Sequence, residues 1–225
     1  MYHSFSSWTR GSTKGGTRMK RSSWVAFLIV ETFLYISFLH LDMQTEADTK
    51  WLKFASILLV AFMSFQIHNK FVAAALCLSA AADIFLLVLN QWYVAGLLLF
   101  FIVQLLYSLH LHSKKIICVQ IILLIFFVIL SLIRQQIEPL AVGYIIVFLL
   151  NLLHSASDTM RVKNRQASLF ALGLLLFFCC DLCVGYYNIG TGPLWEFSRI
   201  AMWAFYLPGQ VLILLSAVLN EGEFK

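Results

Sequence analysis

Polar residues are so sparse along this chain that the few breaks between apolar runs define its organisation. Eight runs stand out: Trp24–Leu41, Phe54–Ile67, Phe71–Leu89, Tyr93–His110, Ile116–Ile133, Leu140–Ser155, Ala167–Tyr187 and Ile200–Leu219. A helix that crosses the hydrocarbon of a bilayer needs about 20 mostly apolar residues, and the second and sixth runs are the shortest. The breaks are short, so consecutive helices are expected to be antiparallel neighbours in one bundle. The pattern predicts an all-α fold, a polytopic membrane bundle of about eight transmembrane helices. Residues 1–23, rich in Ser, Gly, Thr and basic groups, are expected to form a disordered basic tail. That leaves 24–220 as a single transmembrane domain. Met19 could itself serve as a start. The first run carries Glu31 and no small-x-small cleavage site follows it, which favours a retained span over a cleaved signal.

Composition sharpens this reading. Hydrophobic residues make up 61% of the chain and charged residues 12%, with a mean hydropathy of +0.85. A soluble domain carries about a quarter charged residues, so the outer surface of this one must face lipid. The net charge of +5 traces to Arg10, Lys14, Arg18, Lys20 and Arg21, which precede the first apolar run without an acid among them. A basic segment beside a span reads as an orientation signal or a contact with anionic lipid, not as a nucleic-acid site. With the amino terminus in the cytoplasm and eight alternating helices, twelve basic residues fall on the cytoplasmic side. Only four (Lys50, Lys53, Arg134 and Arg199) fall outside. This is the bias that membrane insertion selects; the expected location is the plasma membrane with both termini cytoplasmic. Trp24, Trp51, Trp92 and Trp195 fall at expected helix ends, as an interfacial belt would. The five cysteines lie in apolar runs, and Cys180-x-x-Cys183 has no second pair at zinc-site spacing.

Within the spans the acidic residues are Glu31, Asp83 and Asp181. A carboxylate at the bilayer centre costs roughly 2.5–3.5 kcal/mol on insertion scales, so such a group usually faces the bundle interior and has a function; the bland alternative is a carboxyl that merely hydrogen-bonds a neighbouring helix. Asp83 and Asp181 look like a pair. Each lies six residues before the outer end of its span, roughly 9 Å below the boundary at 1.5 Å per residue. Each is followed seven residues later by an asparagine, Asn90 and Asn188, on the same helix face. The repeated pattern suggests two four-helix halves related by a pseudo-twofold axis. The third and seventh helices are therefore expected to be neighbours. Ser79, Ala80, Ala81, Ala82 and Gly185 offer close backbone approach. Gln104 with Tyr107, Asn151 with His154, and Tyr206 with Gln210 form same-face polar pairs, and Pro208 deprives the Ala204 carbonyl of its helical partner. Each of these residues taken singly is more often interhelical glue than chemistry. Glu31, with Tyr35 one turn on, ranks below the aspartates.

Several of these stretches resemble the YhhN-like family of lysoplasmalogenases. They are Ala80-Ala-Ala-Asp83-Ile-Phe-Leu-Leu, Gly96-Leu-Leu-Leu-Phe100-Phe-Ile-Val-Gln104-Leu-Leu-Tyr107, Gly173-Leu-Leu-Leu-Phe177-Phe-Cys-Cys-Asp181 with Asn188, and the closing Tyr206-Leu-Pro-Gly-Gln210. The resemblance runs from the third helix to the end. It implies eight spans, with Asp83 and Asp181 as signature aspartates and Tyr107, Asn188, Tyr206 and Gln210 at the family's polar positions. The sequence departs from the pattern at Ala82, where Gly is usual, at Cys180, where Ser is usual, and at Gln104, where His is common.

The resemblance implies cleavage of the vinyl ether of a lysoplasmalogen to a fatty aldehyde and a glycerophospho-alcohol. The residues suit such a reaction. Protonation of the β-carbon by a carboxylic acid gives an oxocarbenium ion, which a nearby carboxylate steadies while water adds; glycoside hydrolysis meets a related problem with two carboxyls. The residues leave open which aspartate is the acid; Asp83, among alanines, is the choice here, with Asp181 the stabilising base. Asn90, Gln104, Tyr107, Asn188, Tyr206 and Gln210 are the candidate substrate contacts, and Phe100, Phe101, Phe177 and Phe178 candidate walls for the chain. Neither metal nor cofactor is called for, and the expected partners are a lysophospholipid and the bilayer. Two other readings stay open: a small proton-coupled transporter that uses the paired carboxyls as a relay, and a lipid-binding member without catalysis, which the missing histidine favours.

Overall fold

The breaks in the apolar pattern act as helix starts and stops. In a computed structural model that describes residues 21–44 and 48–220, the Asn69 side chain accepts from the amides of Phe71 and Val72, both at 3.2 Å. The Asn164 side chain likewise accepts from the amide of Ala167 at 2.7 Å. Each caps amides left without a partner at a helix start. Gln135 and Lys163 end their helices in the left-handed region, at φ 53° and 50°. Eight helices result: α1 (Arg21–Gln44), α2 (Lys50–Ser64), α3 (Lys70–Asp83), α4 (Tyr93–His110), α5 (Lys114–Arg134), α6 (Glu138–Val162), α7 (Arg165–Ile189) and α8 (Pro193–Asn220). There is no strand among the described residues. Directly after Asp83 the chain widens into a π-helical segment, Ile84–Val88, before leaving the helix.

Seven of the helices are long and apolar enough to cross a membrane, with the π segment counted in the third. The exception is α2, whose 15 residues rise about 22 Å. It is nevertheless packed between α1, α3 and α8. The chain is an integral membrane protein. Of the expected tail, residues 21–23 are helical and belong to α1, while the rest of that segment lies outside the described residues.

The arrangement has two matching halves. In the first, α1 packs on α2, α2 on α3 and α3 on α4; in the second, α5 packs on α6, α6 on α7 and α7 on α8. Between the halves, α8 leans on α1 and α2 as α4 leans on α5 and α6. The correspondence fails at one place. α3 packs directly on α8, but α4 meets α7 through rings, with Phe100–Phe177 and Tyr107–Phe170 centroids each 5.6 Å apart. α3 and α7 do not pack on each other, which corrects the expectation that they are neighbours. Their backbones stay apart while Asp83 and Asp181 remain within electrostatic reach, and the Phe177 ring of α7 packs instead on Phe100, Phe148 and Tyr206.

Gly173 and Gly209 set the tightest crossing. A Cβ on Gly173 would stand 2.9 Å from the Gly209 carbonyl oxygen, and one on Gly209 would stand 3.0 Å from the Gly173 carbonyl oxygen. Small residues at such a point let two backbones touch. Gly185, expected to act in this way, has nothing within 4 Å of its would-be Cβ. Pro208 lies inside α8, and the Ala204 carbonyl it orphans accepts from the Tyr35 hydroxyl of α1 at 3.0 Å. At the periphery, α5 buries only Gln120 and turns its isoleucines outward. Trp51 and Trp92 are exposed, as a belt requires, but Trp24 is buried at 2% and is a core residue.

Candidate functional site

The two aspartates are held in the same manner by different helices. Asp83 ends α3, and its Oδ2 accepts from the Tyr206 hydroxyl of α8 at 2.5 Å. Asp181 sits in α7, and its Oδ2 accepts from the Tyr144 hydroxyl of α6 at 2.6 Å. Neither Oδ1 has a hydrogen-bond partner among the described residues. The carboxyls are close enough to repel each other, yet their helices are not in contact. Side chains of α4, α6 and α8 pack around them. Burial separates them: Asp83 is 6% exposed, and Asp181 is only half-buried.

Aromatic rings pack together around the tyrosines that hold the carboxyls. Phe177, one turn before Asp181, lies 5.3 Å from the Tyr206 ring and 5.0 Å from Phe148. Phe100 and Phe101 both meet Tyr144, at 6.2 and 5.6 Å, and Phe178 meets Phe148 at 5.4 Å. Beneath the carboxyls, toward the opposite end of the bundle, lies a polar layer. Gln104 is fully buried, and both its side-chain oxygen and its carbonyl accept from the Asn151 amide, at 2.9 and 2.7 Å. Asn151 Oδ1 in turn accepts from Ser108 at 2.5 Å and from Gln120 at 3.1 Å. Tyr144 stands beside Gln104, so the layer touches the donor that holds Asp181. The buried Tyr107 hydroxyl lies near Ser79 without hydrogen-bond geometry to it, and both polar atoms of the Gln210 amide are also buried without a protein partner. Buried polar groups are rarely left so; these belong to α3, α4 and α8, the helices around the carboxyls.

Not every sequence candidate gathers there. Asn90 is exposed at the end of the bundle where α3 finishes; there it accepts from Tyr93 at 2.7 Å and lines a cavity of about 400 Å³. Asn188 donates to the Val184 carbonyl of its own helix at 2.8 Å and does not line that cavity; Tyr187 does. His154 faces Asp158 at 3.7 Å, away from Asn151's network. Glu31 is buried against Ser56 of α2, apart from the aspartates. Among the described residues no group of three His, Cys, Asp or Glu is placed to hold a metal. Sequence reasoning missed Tyr144, Ser108 and Gln120. Tyr144 follows Gly143 in an apolar run and has no polar neighbour to mark it, whereas Gln120, the one strongly polar side chain in the body of α5, was a signal available in the sequence.

The cavity lies where α1, α3 and α7 end and α2 and α8 begin. Its lining includes Trp203, whose ring is 5.7 Å from that of Tyr206, so one aromatic ring separates it from the partner of Asp83.

The sequence model of the YhhN family matches residues 49–217. No curated protein and no solved structure matches the chain.

Proposed function

The chain belongs to the YhhN family, and from that premise we propose that it is a membrane hydrolase of the lysoplasmalogenase type, acting on the vinyl ether of a lyso-ether lipid. The observation that carries the reading is the pair of tyrosine-held carboxyls, Asp83 with Tyr206 and Asp181 with Tyr144, lying near each other inside the bundle. A vinyl ether is weakly basic at its β-carbon, so its hydrolysis depends on a well-placed acid and on charge stabilisation in a medium of low dielectric.

Asp83, the more buried, is assigned the proton, and Asp181, the less buried, the carboxylate. In the first step Asp83 Oδ1 delivers its proton to the β-carbon, the C=C electron pair forms the new C–H bond, and the α-carbon becomes an oxocarbenium ion. Asp181 faces that cation. Water then adds to the α-carbon and loses a proton to Asp181, giving a hemiacetal. In the collapse Asp181 passes that proton to the ether oxygen, the C–O bond breaks, and the hemiacetal hydroxyl gives its own proton to Asp83 as its oxygen becomes the aldehyde carbonyl, so that the aldehyde and the glycerophospho-alcohol leave. One water is consumed and both carboxyls return to their starting states. The tyrosines fix the carboxyls through Oδ2, leaving each Oδ1 for chemistry. The apolar walls, Phe100, Phe177 and Tyr206, limit the water that reaches the cation.

Mass spectrometry of purified protein incubated with lysoplasmalogen and, separately, with an ester lysophospholipid tests this. Aldehyde release from the first alone is expected; no aldehyde from either would overturn the reading. One observation favours a rival. The polar layer through Gln104, Asn151, Ser108 and Gln120 continues from the carboxyls away from the cavity, as a proton relay would. Proton flux into vesicles that requires Asp83 and Asp181 and yields no product would favour a carrier.

A further inference from the structure

On the face opposite Lys114, Lys115 and Arg161 the sequence places only four basic residues. Three of them, Lys50, Lys53 and Arg199, line the single cavity described above. Two carboxylates join them. Asp42 holds Lys53 at 2.7 Å and also accepts from the Thr49 hydroxyl at 2.5 Å. Asp48, outside the helices, holds Lys50 at 2.9 Å, and the hydrogen bond from Lys50 keeps its carboxyl below the ordinary range and therefore ionised. Arg199 pairs with neither. Its Nη2 donates to the Asp42 carbonyl at 3.2 Å, and its charge presses on that of Lys53. Among the described residues the cavity thus holds three cations and two anions, a net charge of +1. That charge is the complement of a phosphodiester, and the planar fork of arginine is well suited to phosphate oxygens.

Of the remaining wall, Asn90 and Tyr187 are polar, and the other side chains are apolar and lead inward. Leu87 and Val88 come from the π segment that follows Asp83, and Met202 and Trp203 from the turn of α8 before Tyr206. Lys53 lies over the Trp203 ring at 4.9 Å, Trp203 meets Tyr206 at 5.7 Å, and Tyr206 bonds Asp83. From Arg199 to Tyr206 is seven residues of helix, about 10 Å along the axis. An extended glycerol backbone carries a vinyl carbon roughly 8 Å from its phosphorus by ordinary bond lengths, so a phosphate at Arg199 would set that bond at the depth of the carboxyls.

We infer that this cavity is a phosphodiester site, in which Arg199 and Lys53 seat the head-group phosphate of a lipid whose glycerol backbone runs past Trp203 toward Asp83 and Asp181. The choice of a lipid over a free anion rests on the apolar inner wall, and the match of depths rests on the hydrolase reading given above. The site discriminates lipids by their phosphate and leaves their ether bond to the carboxyls.

The test uses the full chain in detergent and radiolabelled 1-O-alkyl-glycerophosphocholine, a saturated ether with no vinyl bond to cleave. Binding to Arg199→Gln should fall roughly tenfold or more, the scale of a lost charged hydrogen bond. Arg199→Lys should keep more of it, and binding of 1-O-alkylglycerol, which lacks phosphate, should not change. Equal loss for both ligands, or no loss for either, would overturn the site. Competition by inorganic phosphate as strong as by the lipid would overturn the lipid assignment. Should Arg199→Gln fail to fold, Lys53→Gln takes its place, with the same expected selectivity. The ligand is not turned over, so a protein without hydrolase activity still decides this question. Hydrolysis that ignores the phosphate would sink the site and leave the hydrolase reading standing.

Discussion

The hydroxyl of Tyr206 donates to Oδ2 of Asp83 across 2.5 Å and ties α8 to α3 just where α3 gives way to its π-helical segment. A π turn carries an extra residue for the same rise and is common at functional sites. Here it follows the residue whose orientation matters most, and Leu87 and Val88 from it form the near wall of the outer cavity. The same tie recurs in the other half, from Tyr144 to Asp181 at 2.6 Å, but it comes from α6 because the rings of α4 and α7 hold those helices apart.

Tyr206→Phe keeps the ring that contacts Phe177 and Trp203 and removes only the hydrogen bond. A bond to an ionisable acceptor is worth about 1.5–3 kcal/mol, so kcat should fall roughly ten- to a hundredfold with KM little changed. Tyr144→Phe should behave alike. Steady-state kinetics on the two variants checks this; full activity in both would show that the tyrosines do not orient the carboxyls.

The bond from Tyr35 to the Ala204 carbonyl makes a separate prediction about stability. Pro208 cannot donate to that carbonyl, so Tyr35→Phe leaves a buried acceptor unsatisfied, at a cost of about 1–3 kcal/mol. Pro208→Ala supplies an amide that can replace the missing bond. The loss from Tyr35→Phe, measured by unfolding in detergent, should therefore shrink in the Pro208→Ala background. Strictly additive effects would mean that the two changes do not act on the same carbonyl.

Gly173→Val should be among the most damaging single changes outside the site. Its Cβ alone would meet the Gly209 carbonyl oxygen at 2.9 Å and the Ile213 side chain at 2.8 Å, and backbone cannot yield as a flexible side chain can. Overpacking of this kind costs typically 1–3 kcal/mol or more. Gly185→Val, in open space, is the control and should melt like the parent.

How far the sequence reached follows from the range of each interaction. Helix count and order were legible because hydropathy and loop charge are local signals, and the eight helices match the eight apolar runs. The Ala204 carbonyl was legible as an orphan, since a proline acts on its own helix. Its partner was not, because Tyr35 lies 169 positions away and nothing local marks it. Asp83 and Asp181 announced themselves by the cost of their charge in lipid. The expectation that α3 and α7 touch failed at the backbone, because how closely two helices approach depends on side chains of other helices, a quantity no local pattern carries. The π segment was equally hidden, for its Ile84–Val88 run reads as ordinary apolar helix and its widened turn is set by tertiary contacts. Gln120 shows the converse, since its single buried position on α5 could have been read from its isolation among isoleucines.

Exchange of the carboxyls bears most directly on mechanism. Asp83→Asn and Asp181→Asn keep the shape of the side chain and can still accept from Tyr206 and Tyr144, so the fold should survive both. An amide can neither deliver a proton to carbon nor balance an oxocarbenium ion, and general acid–base participation is typically worth 10²–10⁴-fold. Each single variant should therefore lose about that much in kcat, well beyond the effect of changing Gln104 or Tyr107. Because both groups serve one transition state, the double variant should be little worse than either single one. The parent should show a bell-shaped rate profile with pH, whose two limbs describe the interacting pair and not one residue; in each single variant one limb should vanish. The alternatives separate on the same measurements. A structural role predicts near-parental hydrolysis in Asp83→Asn, with the loss confined to melting temperature, whereas a carrier shows no hydrolysis in the parent and loses flux in both variants. Retention of most of the rate in both single variants would remove the carboxyls from the chemistry.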